Sequence, residues 1–169
     1  MTLYVAFLRA VNVGGTGKLP MAELRLMCEG LGFSKVQTYI ASGNVVFESS
    51  LSTTKTKAAL EASVAKYLGK PTGIFIRDRA ALAVVTAANP FPRAEGNRLM
   101  VILMDDSPTQ AMITAAKFKT GEQLALGNAC LYVHYPSGMG QSKLKIPGAE
   151  QGTARNMNTI AKMLELLHG

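Results

Sequence analysis

Within the stretch FLRAVNVGGTGKLPMAEL, Phe7 to Leu24, a guanidinium, an amide, a hydroxyl and an ammonium fall among three glycines: Arg9, Asn12, Gly14, Gly15, Thr16, Gly17 and Lys18. Charged and amide donors beside a glycine backbone suit an anion, because exposed N–H groups and cations both favour negative charge. A phosphate-binding loop of the form G-x-x-x-x-G-K-[ST] is excluded. With Gly17-Lys18 aligned to its end, Asn12 stands where the first glycine belongs and Leu19 where the magnesium-holding hydroxyl belongs. A dinucleotide fingerprint starting at Gly15 fails as well, because it would need glycine at position 20, which is Pro20. The glycines then shape a strand-to-helix turn, and the chemistry falls to Arg9, Asn12 and Lys18.

Positioning these groups requires a strand before them and a helix after. Leu3, Val5 and Phe7 alternate with Tyr4, Ala6 and Leu8, both sets apolar, which predicts a central strand covered on both faces. Pro20 suits the first turn of a helix that carries Met21, Leu24, Met27, Cys28 and Leu31. Two β-rich runs flank ASGN, Ala41 to Asn44, and predict a hairpin. A helix capped by Ser52 or Thr53 and a strand over Thr72 to Arg77 complete a βαββαβ order, the split βαβ or ferredoxin-like arrangement. A right-handed crossover makes the first two strands parallel, with the third inserted antiparallel between them. That geometry sets Ser42 and Asn44 beside Arg9 and Asn12 at one sheet edge, a set suited to a phosphate, a carboxylate or a nucleotide.

The rest of the chain reads as βαββα. Residues 1–88 form a first α+β subdomain, 89–97 (NPFPRAEGN) a linker and 98–169 a second subdomain, expected to pack together as one compact unit. Leu99 to Met104 predicts a strand and Pro108 a helix start. Two β-rich runs flank Leu126-Gly127-Asn128, and a last helix is expected over Thr153 to Leu167. TYIASGNVVFE and EQLALGNACLY share A-x-G-N between two such runs, which suggests a duplication. Pro136 to Gly152 is a Gly/Pro/Ser-rich loop of the length that functional loops have.

Bulk properties bound the rest. The chain has 169 residues, 48% of them hydrophobic and 17% charged, which is a globular composition. No apolar run is long enough to span a bilayer and the N-terminus reads as a strand, so the expected address is cytoplasmic, with no membrane partner. Cys28 and Cys130 sit in apolar patterns, as buried free thiols do. With His134 and His168 as the sole histidines and Asp105-Asp106 at a helix entry, no metal site and no cofactor are expected. The net charge of +7 favours anionic partners without forming a basic block.

The long run from LRAVNVGGTGKLPMAEL to ASGNVVF resembles the opening signature of the bacterial domain-of-unknown-function 1697 family. QSKL (Gln141 to Leu144) and TARNMNTIAKMLEL (Thr153 to Leu166) are similar to later motifs of that family. The resemblance implies a stand-alone cytoplasmic chain, an α+β fold of two related subdomains and no assigned activity. It also implies polar positions at Arg9, Asn12, Gly14, Gly15 and Lys18 in the first motif and at Ser42, Gly43 and Asn44 in the hairpin. In the later motifs it implies Ser142 and Lys143, then Arg155, Asn156 and Asn158. Three positions depart from the family: Ala10 replaces a usual glycine, Gly17 a polar residue and Met157 an aromatic one, often tryptophan. An aromatic that stacks on a ligand would be missed here, whereas methionine would fill a merely packed position.

TARNMN also suggests an anion site by itself, with Thr153 capping the last helix and Arg155 beside its first turn. Ser142 and Lys143 would belong to a loop closing over the site. No catalytic residue is assigned and the oligomeric state is not read. The leading expectation is a protein that binds a small anionic ligand, with or without catalysis. Two alternatives stand beside it. One is a nucleic-acid-binding protein, against which the third strand, NVVFES, offers only Phe47 as an aromatic. The other is a protein-interaction module without a small ligand.

Overall fold

The computed structural model describes residues 1–13 and 17–168, so Gly14, Gly15 and Thr16 lie outside the described residues. The first sheet is built from β1 (Thr2–Leu8), β2 (Ser34–Thr38), β3 (Asn44–Ser49) and β4 (Ile74–Asp78). It runs β2-β3-β1-β4, with every neighbouring pair antiparallel. β3 therefore lies between β1 and β2, which are parallel to each other, as the split βαβ order requires.

β1 is buried from Tyr4 to Leu8 because its two alternating residue sets enter two different cores. Tyr4, Ala6 and Leu8 join Phe47 under helices α1 (Met21–Gly30) and α2 (Thr53–Leu68), which supply Leu24, Cys28, Leu60 and Val64. Phe33 stacks on Phe47 at 4.6 Å in the same core. Pro20 sits one residue ahead of the expected first turn, at the N-cap of α1. Ser52 caps α2 by accepting from Lys55 N–H, and Gly69 ends that helix in the left-handed conformation. Val5 and Phe7 face the other way and are fully buried together with Leu82, Met163 and Leu167.

The second sheet comprises β5 (Leu99–Leu103), β6 (Gln123–Gly127), β7 (Cys130–His134) and β8 (Thr153–Asn156), in the order β6-β7-β5-β8 and again antiparallel throughout. β8 corrects the expected βαββα. Thr153 to Asn156 is an edge strand against β5, and the last helix, α5, starts only at Met157 and runs to His168. Thr153 is therefore not its cap. Asn156 is, with its Oδ1 accepting from Thr159 N–H at 2.9 Å. Helix α3 (Arg79–Ala87) follows β4 in the same way, and Asp78 Oδ1 accepts from Ala81 N–H at 2.8 Å. Pro108 precedes only a five-residue helix, α4 (Gln110–Thr114).

The two sheets thus repeat one order, and the registers of β1 and β5 with their two neighbours align residue by residue. Phe7 faces Asn44 as Leu103 faces Cys130, and Leu8 N–H donates to Gly43 O as Met104 N–H donates to Ala129 O. Gly43 and Ala129 then correspond, and both have positive φ, 92° and 53°. The A-x-G-N similarity that suggested the repeat is displaced by two residues from this correspondence, since Asn44 matches Cys130 and not Asn128. A truer echo lies in FIRD and TARN. Arg77 and Arg155 occupy the same register opposite Val5 and Val101. Each bends its Nη1 back to the preceding carbonyl, Ile76 O at 2.9 Å and Ala154 O at 3.0 Å.

Two compact units divide the chain as residues 1–82 with 163–169, and 83–162. The boundaries fall inside α3 and α5, and Asn89 to Asn97 belongs wholly to the second unit.

Candidate functional site

β1 carries Arg9 one residue past its end, where Arg9 N–H donates to Gly73 O at 2.8 Å and the side chain is exposed. Ala10 and Asn12 then take left-handed backbone angles, φ 57° and 56°, and fold the chain back on itself. Asn12 N–H donates to Gly17 O, so the segment closes on itself at 3.0 Å. The Asn12 side chain makes three further bonds. Its Oδ1 accepts from Leu19 N–H at 2.8 Å, and its Nδ2 donates to Leu19 O at 2.8 Å and to Ala41 O at 2.7 Å. The last bond ties this loop to the hairpin turn, as the strand order anticipated.

Across the turn, Gly43 is required twice over. Its φ is 92°, and a Cβ there would stand 2.6 Å from Val11 Cγ2. Asn44 is fully buried, and its Nδ2 donates to Tyr39 O at 3.0 Å and to Ser42 Oγ at 2.9 Å. The structure therefore brings Arg9, Asn12, Lys18, Ser42 and Asn44 to one edge, but it divides their work. Asn12 and Asn44 hold backbone in place, whereas Arg9 and Lys18 put exposed cations at the rim. Gly17 approaches so closely that a Cβ would lie 2.7 Å from Ala10 O, which accounts for glycine at that position.

The polar residues of the later motifs lie in the second unit. Ser142 Oγ donates to Glu122 Oε2 at 3.0 Å, and Thr120 donates to Glu122 Oε1 through N–H at 2.9 Å and through Oγ1 at 3.2 Å. Lys143 beside it is exposed. Burial pushes the Glu122 carboxyl up, but the donors from Thr120, its own N–H and Ser142 outweigh this and hold it below the ordinary carboxylate value. Glu122 went unassigned in the sequence reading, because a lone glutamate before a strand carries no signal of burial. Ser142 and Lys143 stand at the β6 edge of the sheet, and Arg155 and Asn156 at the β8 edge.

Arg155 is buried rather than displayed at a helix start, with Nη1 on Thr153 Oγ1 at 2.7 Å, and burial draws its pKa down to about 10. Asn158 lies over Gly96, whose missing Cβ leaves room for its side chain. Met157 is packed and only 9% exposed, so methionine fills an interior position there. Cys28 and Cys130 are buried thiols not joined in a disulfide. Among the described residues no group of side chains is arranged to hold a metal ion, and no helix is long and apolar enough to cross a membrane.

Among curated proteins none matches the chain. A solved structure, that of the conserved bacterial protein SP0830 from Streptococcus pneumoniae, is similar over 98% of both chains, with 26% identity and a TM-score of 0.82. The likeness covers both units, and the family model described as "Protein of unknown function (DUF1697)" matches residues 1–132, so the chain belongs to that family.

Proposed function

We propose that the β1 end of the first unit, with Arg9 and Lys18 beside the Ser42–Asn44 turn, binds a small anionic ligand: a phosphate, a carboxylate or a nucleotide. The observation that carries this reading is a contrast between equivalent positions. The register that aligns Leu8 with Met104 sets Arg9 opposite in charge to its counterpart Asp105, which Asp106 follows. The strand order itself does not demand a cation there, since the equivalent strand of the second unit is followed by two carboxylates. The amides of Asn12 and Asn44 fix the backbone around Arg9 and Lys18, and a fixed frame lowers the ordering cost of binding. Ser142, Lys143, Arg155, Asn156 and Asn158 belong to the second unit. A cytoplasmic address suits the reading and the two reduced thiols.

Phe47, on which a nucleic-acid reading would depend, is fully buried and stacked on Phe33, so it offers no face to a base. A thermal-shift series with phosphate, nucleotides and organic acids tests the anion site. At least one anion should raise Tm, the rise should vanish in Arg9→Ala/Lys18→Ala, and it should persist in Asp105→Ala/Asp106→Ala. No rise with any anion, or an equal rise in the Arg9/Lys18 variant, would sink the proposal.

A further inference from the structure

The second unit holds a cleft of about 550 Å³. One wall is formed by Pro90 to Glu95. Asn89 Oδ1 accepts from Phe91 N–H at 2.8 Å and Ala94 N–H donates to Phe91 O at 3.0 Å, so Phe91 sits in a closed turn between Pro90 and Pro92. Opposite it, the Phe91 and His134 rings lie 5.6 Å apart at 34°. His134 Nδ1 is 2.8 Å from Gln123 Oε1, which fixes the imidazole in the cleft. Arg98 also lines the cleft. Its Nη1 donates to Pro136 O at 2.6 Å and its Nε lies 3.7 Å from Glu95, so its guanidinium is held in a set orientation.

Two features of this cleft point to one ligand chemistry. Phe91, His134 and the flanking prolines supply flat, weakly polar faces fixed by backbone bonds, which suit a ring. Arg98 and Arg93 supply a planar, permanently charged fork against one carboxylate, Glu95, which suits an oxyanion. We propose that this cleft is a second binding site, taking a planar aromatic or heteroaromatic ring that bears a carboxylate or phosphate. The ring lies against Phe91 and His134, and the oxyanion meets Arg98. The site shares no residue with the β1 edge and stands or falls separately from it.

The chain has only two histidines, so the imidazole proton spectrum of the intact protein resolves the question, with His168→Gln assigning the two sets of lines. Phenyl phosphate and benzoate should shift the His134 lines saturably and leave those of His168 in place. Benzyl alcohol and inorganic phosphate, which each carry half of the recognised chemistry, should act far more weakly. Arg98→Gln should weaken phenyl phosphate about tenfold or more, the loss expected for a charge-assisted hydrogen bond. Phe91→Leu, which keeps an apolar side chain and removes the ring, should weaken it as well. Unmoved His134 lines at about 10 mM phenyl phosphate, a concentration at which even weak small-ligand binding registers, would overturn the proposal. So would equal shifts from inorganic phosphate alone, or binding unchanged in both variants.

Discussion

Asn44 and Cys130 occupy one position in two copies of the same sheet, and the difference between them shows what each unit does with a shared frame. In the first unit the position carries a buried amide that ties the hairpin turn to Tyr39 and Ser42. In the second it carries a thiol, and the turn is held instead by Ser107 Oγ, which accepts from Ala129 N–H at 2.9 Å. The first unit covers one sheet face with α2. The second has the Pro136–Gly152 segment at that place in the order, and it leaves Met100, Ile102 and Met104 half-buried where Tyr4, Ala6 and Leu8 are closed off. Strand order and the register of the central strands are common to both units, while helices, polar detail and charge are individual to each. Function is therefore to be sought in the individual parts.

The largest effect that would test this comparison is alkaline loss of stability. Burial, helped by Glu29, pushes the Cys28 thiol up to about 12 from 9.0. The folded state then keeps a proton that the unfolded state gives up, so stability falls as pH rises from 9 towards 12, by up to about 4 kcal/mol at roughly 1.4 kcal/mol per unit. Tyr132 in the second unit, also raised chiefly by burial, adds a decline that begins near 10. Urea midpoints measured from pH 8 to 11 should steepen in that order. Cys28→Ala should remove the earlier slope, and a pH-independent midpoint would contradict the burial argument.

Next in size is a pair of opposite sign. Gly43→Ala should destabilise by about 3 kcal/mol, from left-handed strain together with overpacking against Val11. Its counterpart, Ala129→Gly, relieves φ 53° and should stabilise by about 0.5–1 kcal/mol. Denaturant midpoints that move in the same direction would break the turn equivalence. Smaller again, Asp78→Ala and Asn156→Ala each remove a helix cap and should cost about 1 kcal/mol apiece. A near-zero value for one of them would show that FIRD and TARN are alike only in outline. Ala10→Gly, at φ 57°, should gain about 0.5–1 kcal/mol and restores the family's usual residue. Glu122, held low by its donors, supports the fold above pH 4.5 and ceases to as pH falls through its own lowered value. Ser142→Ala should shrink that acid-side loss.

Much of the first unit was legible because its signals are local. β1 alternates, Ser52 and Gly69 bracket α2, and the split order then forces Asn12 towards the Ala41–Asn44 turn. β8 was not legible. TARN is four residues long and runs straight into a helix whose apolar stripe begins at Met157, so periodicity extends the helix backwards over it. The structure shows the strand through its pairing with β5, which is a long-range fact. The site residues were legible as types and not as roles. That Asn12 and Asn44 bond backbone, or that Arg155 is buried, depends on neighbours 29 residues away in one case and on a whole sheet in the other. The A-x-G-N tetrapeptide signals the repeat out of register, while the matching arginines carry no signal because their flanking residues differ, Phe75-Ile76 and Asp78 against Thr153-Ala154 and Asn156.

The boundary inside α5 has a consequence for how the chain is made. Met163 and Leu167 belong to the first unit and are fully buried, and the end of α5 lines a pocket beside Leu3, Val36 and Val46. During synthesis, which proceeds from the N-terminus, β1 to β4 and the α1/α2 core are complete long before those residues emerge. The N-terminal unit therefore waits with its Val5/Phe7 face incompletely covered until Met163 to His168 leave the ribosome. A nascent chain stalled after Lys162 should remain protease-sensitive on that face, and emergence of Met163 to His168 should close it.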